Sequence, residues 1–170
     1  MGVDRSFLEL LELHEDLDEL FFSHQEALLA LNIYSAERLL RIYDEKLLRH
    51  MEDEERLLIP VYRDRAGAIP GGPAELFLGE HRKMKEFIKE FYATLATLEA
   101  EGGRPLRRAI VGLLDRQFMY KHLVGHHDLR EKNVLYPALD RVTSAEERVA
   151  LLRACRRTEP TASSETLTHC

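Results

Sequence analysis

Apolar residues recur along this chain at steps of three and four, the spacing that gathers them on one face of an α-helix. The pattern predicts four long helices. The first runs from about Asp4 to Leu31, with a stripe at Leu10, His14, Leu17, Phe21, His24, Leu28 and Leu31. The second, about Ser35 to Tyr62, carries Ala36, Leu40, Tyr43, Leu47, His50, Glu54, Leu57 and Val61. The third, about Pro73 to Glu99, carries Phe77, His81, Met84, Ile88, Phe91, Leu95 and Leu98. The fourth, about Pro105 to Leu139, carries Leu106, Ala109, Leu113, Tyr120, Val124, His127, Glu131, Val134 and Ala138.

The breaks between these stretches have physical causes. Asn32 is placed to close the first helix, and Ser35 to cap the second. Pro73 follows Gly71 and Gly72, and Pro105 follows Gly102 and Gly103, so the third and fourth helices open on proline. The first and last connections are short, which makes the helices they join antiparallel neighbours. The architecture expected is all-α: an up-down-up-down antiparallel four-helix bundle over residues 1–142. A short C-terminal helix follows over 143–157, opened by a capping box of Ser144 and Glu147. The small polar segment 158–170 reads as a disordered tail.

Two segments repeat each other. His50 precedes Glu54 by four, Leu58 by eight and Pro60 by ten; His127 stands in the same relation to Glu131, Leu135 and Pro137. Residues four apart lie one above the other on a helix, so each segment presents an imidazole beside a carboxylate. Both pairs lie on apolar stripes, where an uncompensated carboxylate is costly. Axial position adds to this. His14 stands about as far before the first connection as His50 and Glu54 stand after it, and His81 is matched in the same way to His127 and Glu131. His14, His50, Glu54, His81, His127 and Glu131 should therefore fall at one level, a donor set of imidazole and carboxylate that suits iron, manganese or zinc.

The remaining histidines fit less well. His24 lies about 15 Å along the axis from His14 and reads as a core or second-site histidine, with ligation in place of His14 as its alternative. His122 and His126 lie off the His127 stripe and read as supporting or surface groups, with ligation as the lesser option. His169 falls in the tail. Tyr43, Tyr120 and Tyr136 read as core residues with the option of donating near a bound oxygen, Tyr120 foremost. Met84 and Phe77 flank His81 as a dry wall. No HExxH is present, and the order of Glu and His is the reverse of the ferritin-like pattern.

Composition narrows the partners. Hydrophobic residues make up 45% and the net charge is −6, which suits a globular protein and disfavours nucleic acid. No apolar run approaches the roughly 20 residues that span a bilayer. The N-terminus lacks signal-peptide architecture, and Cys155 and Cys170 form no disulfide framework, so the cytoplasm is the expected compartment.

With these residues in view, the chain resembles the hemerythrin-like (HHE cation-binding) family from about Leu10 to Asp140. The motif is a lone histidine on the first helix, HxxxE on the second, a histidine on the third and HxxxE or HxxxxD on the fourth, matched here by His14, His50 with Glu54, His81, and His127 with Glu131. The stretches HMEDEERLLIP, GEHRKM and HHDLREKNVLYP also resemble its iron-sulfur-cluster repair branch, without that branch's extra N-terminal domain. The resemblance implies two iron ions bridged by Glu54, Glu131 and an oxo or hydroxo oxygen, with His14, His50, His81 and His127 as terminal ligands. Manganese or zinc could substitute. The oxygen carriers of the family have a second histidine one turn beyond the third-helix histidine, and here Lys85 occupies that position. Three functions follow as expectations: uptake of O2 or a related small molecule (nitric oxide or peroxide), redox catalysis on such a molecule, or iron donation and sensing. The pattern is compatible with a monomer or a homo-oligomer.

Overall fold

The structure, a computed structural model, describes residues 5–98 and 103–156. The expectations for Asp4, Glu99, Arg157, His169, Cys170 and the polar tail fall outside those residues. The helices are α1 (Leu11–Leu29), α2 (Ile33–Asp53), α3 (Ile59–Arg65), α4 (Ala74–Leu98), α5 (Gly103–Arg130), α6 (Tyr136–Val142) and α7 (Ala145–Arg156). A π-helical turn over Glu54–Leu58 joins α2 to α3, and another over Glu131–Leu135 joins α5 to α6. The four rods of the bundle are thus α1, α2–α3, α4 and α5–α6. Each packs on its two neighbours in chain order, and α1 closes the ring against α5, as the sequence predicts.

The two π-turns have one cause. Pro60 and Pro137 lack an N–H, and their rings crowd the carbonyl four residues back. Each rod widens just before its proline, with Ile59 N–H bonding to Glu54 O and Tyr136 N–H to Glu131 O, a spacing of five. The extra residue shifts the buried face. The stripe predicted at Leu57, Val61 and Val134 becomes only half-buried, while Leu58 with Ile59 and Leu135 with Tyr136 are buried as consecutive pairs.

The ends depart from expectation too. Asn32 caps the start of α2, its side chain accepting from Ser35 N–H at 3.0 Å, so Ser35 is inside the helix. The α1 terminus is closed by Leu31, which takes a left-handed φ of 58° while Asn32 N–H bonds to Ala27 O. Leu31 is consequently exposed and leaves the core stripe. The first helix opens as a 3-10 turn, Phe7–Leu10, capped by Ser6 and Glu9. The Ser144–Glu147 capping box of α7 forms as expected.

Two hydrophobic clusters fill the bundle. One contains Leu17, Phe21, Leu47, Met51, Met84 and Tyr120; the other contains Phe7, Leu58, Phe77, Leu135, Tyr136 and Leu152. The second is sealed by the N-terminal turn, which Asp140 holds through Ser6 Oγ (2.5 Å) and Phe7 N–H (3.0 Å), and by Leu152 of α7. At Gly72 an added Cβ would stand 2.5 Å from Val134 Cγ1, so only glycine lets the loop pass this close to the fourth rod. Among the described residues no helix is long and apolar enough to cross a membrane.

Candidate metal centre

Between the two clusters lies one polar layer. On each rod the chain passes from one cluster to the other through a residue that would be apolar in an ordinary bundle: His14 on α1, His50 and Glu54 on the second rod, His81 on α4, His127 and Glu131 on the fourth. All six are buried, Glu54 and Glu131 to within 1% of complete burial. The structure brings together the whole predicted set.

The six fall into two groups. One atom from each of Glu54, His81, His127 and Glu131 lies within 4.8 Å of the others, as does one from each of His14, His50 and Glu131. Glu131 belongs to both. His14 Nε2 faces His50 Nε2 at 2.9 Å, and His81 Nε2 faces His127 Nε2 at 3.2 Å. The carboxylates stand between these pairs. Glu54 Oε2 is 3.8 Å from His50 Nε2 and 3.4 Å from His81 Nε2. Glu131 reaches His14 Nε2 at 3.3 Å through Oε2 and His127 Nε2 at 2.6 Å through Oε1.

This geometry fits metal ions. Two imidazole nitrogens at about 2.1 Å from one ion lie about 3.0 Å apart in adjacent octahedral positions and about 3.4 Å apart in tetrahedral ones, close to the observed separations. Glu54 Oε2 and Glu131 Oε1 are buried against imidazole nitrogens, without a well-directed hydrogen bond among the described residues, a costly state for carboxylate oxygens and the one a cation relieves. Electrostatics without metal carry the same message. Burial raises Glu131 well above the ordinary carboxylate range, and the charge of Glu54 adds to it. Burial also opposes ionisation of Glu54, but His50 and His81 outweigh it and hold that carboxyl low. Burial and the neighbouring His50 lower His14 to about 3, so its imidazole is neutral and free to ligate.

Carboxylates behind the ring orient two of the imidazoles, and a third faces His14 without a hydrogen bond. His127 Nδ1 lies 3.0 Å from Glu80 Oε2, and Glu80 is paired with Arg130. His81 Nδ1 lies 3.0 Å from Glu55 Oε1, which also receives Lys85 Nζ at 3.2 Å. His14 Nδ1 stands 3.4 Å from Asp128 Oδ1, and burial pushes the Asp128 carboxyl up to about 7. Such partners fix the tautomer and raise the basicity of a ligating imidazole. Tyr136 does the equivalent for the carboxylates. Its buried hydroxyl donates to Glu54 Oε1 at 2.8 Å and lies 3.2 Å from Glu131 Oε2.

The sequence reading missed Glu55, Glu80 and Asp128, and it placed Tyr136 in the core with Tyr120 the favoured donor. Tyr120 instead bonds Tyr43 at 2.6 Å within the apolar cluster. One signal was available: in the two repeats Tyr136 occupies the place of Ile59, a polar residue where its counterpart is apolar. The other histidines point elsewhere. His24 is fully buried, with Nδ1 2.7 Å from Ala36 O and Nε2 2.8 Å from Gln117 Nε2. His122 and His126 are exposed on α5. Lys85 turns to Glu55 rather than inward.

The sequence profile of the hemerythrin HHE cation-binding domain matches residues 5–139, and all six buried donors lie inside that span. The chain belongs to the hemerythrin HHE cation-binding family. No curated protein and no solved structure gives a match. As a hemerythrin-like protein with a buried cluster of imidazoles and carboxylates, it binds a metal cofactor. A cavity of about 20 Å³ adjoins the centre, bordered by His14, His50, His127, Asp18 and Asp128 and walled by Leu17, Leu47, Met51 and Met84. A water molecule needs about 10–15 Å³ measured this way, so the space suits a molecule of one to three atoms.

Proposed function

We propose that this protein holds two iron ions at the buried layer and takes up an oxygen-class small molecule there, such as O2, nitric oxide or peroxide. The observation that carries the reading is the pair of donor groups sharing Glu131, with a small, mostly apolar cavity bordered by His14, His50 and His127. In this reading His14 and His50 hold one ion, His81 and His127 the other, and Glu54 and Glu131 span both. When bound, the iron pair supplies the electrons and open coordination positions for such a ligand.

The chain's own residues define what can enter and how the donors stand. Leu17, Leu47, Met51 and Met84 exclude bulk water and anything larger than a few atoms. Glu80 and Glu55 accept from the Nδ1–H of His127 and His81, leaving each Nε2 lone pair aimed at the layer. Tyr136 holds Glu54 and Glu131 in register through one shared hydroxyl. Metal binding favours the ionised carboxylate of Glu131, which burial disfavours, so loading shifts protons off the site.

A second reading, redox turnover of the same small molecules, draws on the donor count. Lys85, His24, His122 and His126 are all engaged or directed elsewhere, leaving four imidazoles and two carboxylates for two ions. Such a set keeps positions open to exchange. The test of both is metal content per chain, with an optical spectrum of the reduced protein before and after O2. Two irons and a spectrum that reverses when O2 is removed are expected. Two irons with irreversible oxidation would move the function to the second reading, and a single ion per chain would overturn the paired site.

A further inference from the structure

Five described histidines, His14, His24, His50, His81 and His127, have a ring nitrogen within hydrogen-bond distance of a partner. His122 and His126 do not. Both are exposed on the outer face of α5, and among the described residues neither takes part in a hydrogen bond or ion pair. Their only ring contacts are with Phe118, which meets His122 edge-on at 4.6 Å, and with one another, at 6.4 Å between centroids and 32° between planes. Gly125 lies beside His126, and a Cβ added there would meet nothing within 4 Å, so the surface around the pair is open.

Residues four apart on a helix present their side chains on one face. Two neutral imidazoles in that relation are a chelate for a borderline divalent ion, because copper, nickel and zinc favour imidazole while magnesium and calcium favour oxygen. An ion at about 2.1 Å from one nitrogen of each ring requires the rings to close by roughly 1–2 Å. Rotation about χ1 and χ2 of two exposed side chains supplies that, and the Phe118 contact keeps His122 from turning away along the helix.

We propose that His122 and His126 form a second metal site, a surface bis-histidine chelate for a single Cu(II), Ni(II) or Zn(II) ion. Water completes the coordination, so the ion exchanges rapidly, unlike one in the buried layer. The site stands independently of the function proposed for the buried centre. One consequence is practical: metal counts taken with zinc, nickel or copper exceed those of the buried layer by one.

The test is titration of the full-length, iron-loaded protein with Ni(II), read by calorimetry at neutral pH. One saturable ion per chain is expected. Affinity should fall at least about tenfold in His122→Ala and equally in His126→Ala, since either change halves the donor set. Iron content and helical circular dichroism of both variants should match the parent, because the two side chains are exposed. His169→Ala should leave the binding intact. No saturable ion, or unchanged binding in either variant, would overturn the proposal. Loss on His169→Ala instead would place the nickel site at the C-terminal end of the chain and overturn it as well.

Discussion

Glu131 is the side chain whose replacement reports most sharply on the centre, because it belongs to both close donor groups and each of its oxygens faces a different one. Glutamine is the informative substitute, since it keeps the shape and removes the charge. A four-ligand structural zinc site contributes about 10–16 kcal/mol, or about 3 kcal/mol per ligand, and 1.4 kcal/mol is tenfold in affinity. Removing one ligand should thus weaken each ion by about two orders of magnitude. Both of the proposed ions should be affected, because Oε2 of Glu131 faces His14 and Oε1 faces His127. The metal-free fold should be almost indifferent. Burial raises the Glu131 carboxyl well above the ordinary carboxylate range without metal, so exchanging it for an amide of the same shape costs the metal-free protein little, and stability should change by less than about 1 kcal/mol. The assay is metal content after gel filtration, with affinity from competition against a chromophoric chelator, and thermal unfolding of the chelated protein as the control. Glu131→Gln should lose both ions, whereas His14→Ala, which touches one group, should lose one. Two tightly held ions in Glu131→Gln would refute the shared-carboxylate arrangement.

Three further outcomes can be measured. Tyr136→Phe removes the hydroxyl that holds Glu54 and Glu131, and metal affinity should drop by about 10–100-fold with two ions still bound at saturation; an unchanged affinity would show that the hydroxyl does not position the carboxylates. Leu47→Phe fills the cavity beside His14 and His50, so metal content should hold while the rate of nitric oxide or O2 binding falls, and an unaltered rate would mean that ligands arrive by another route. Leu31→Gly relieves a left-handed residue and should stabilise the protein by up to about 1 kcal/mol, or about 2–4 °C in melting temperature; a lowered melting temperature would contradict that account of the helix end.

Much of this was readable one residue at a time. The three-and-four spacing of leucine and phenylalanine specifies four rods, glycine and proline specify where they stop, and the equal axial distances of His14, His50, Glu54, His81, His127 and Glu131 bring those six to one level. These are properties of the helix itself, set by its rise and pitch. Beyond Glu54 and Glu131 the stripe holds at Ala138 but not at Leu57, Val61 and Val134, because a proline near the end of a rod is absorbed by a π-turn that advances the buried face by one residue. Gln117 was also passed over. Its polarity breaks the stripe between Leu113 and Tyr120, and its meeting with His24 and Gln25 on α1 explains why it is fully buried.

The residues that tune the centre were beyond the reach of periodicity for one reason. Each is the sequence neighbour of one ligand but serves another on a different rod: Glu80 beside His81 holds His127, Glu55 beside Glu54 holds His81, and Asp128 beside His127 faces His14. Adjacent residues on a helix point about 100° apart, so a residue next to a ligand leaves its own stripe and turns toward a neighbouring helix. The sequence determined which faces are buried and at what height the donors lie, since both depend on the geometry of a single helix. Which carboxylate stands behind which imidazole, and how large a space is left beside them, depend on how four helices rotate and approach one another, and only the tertiary structure decides that.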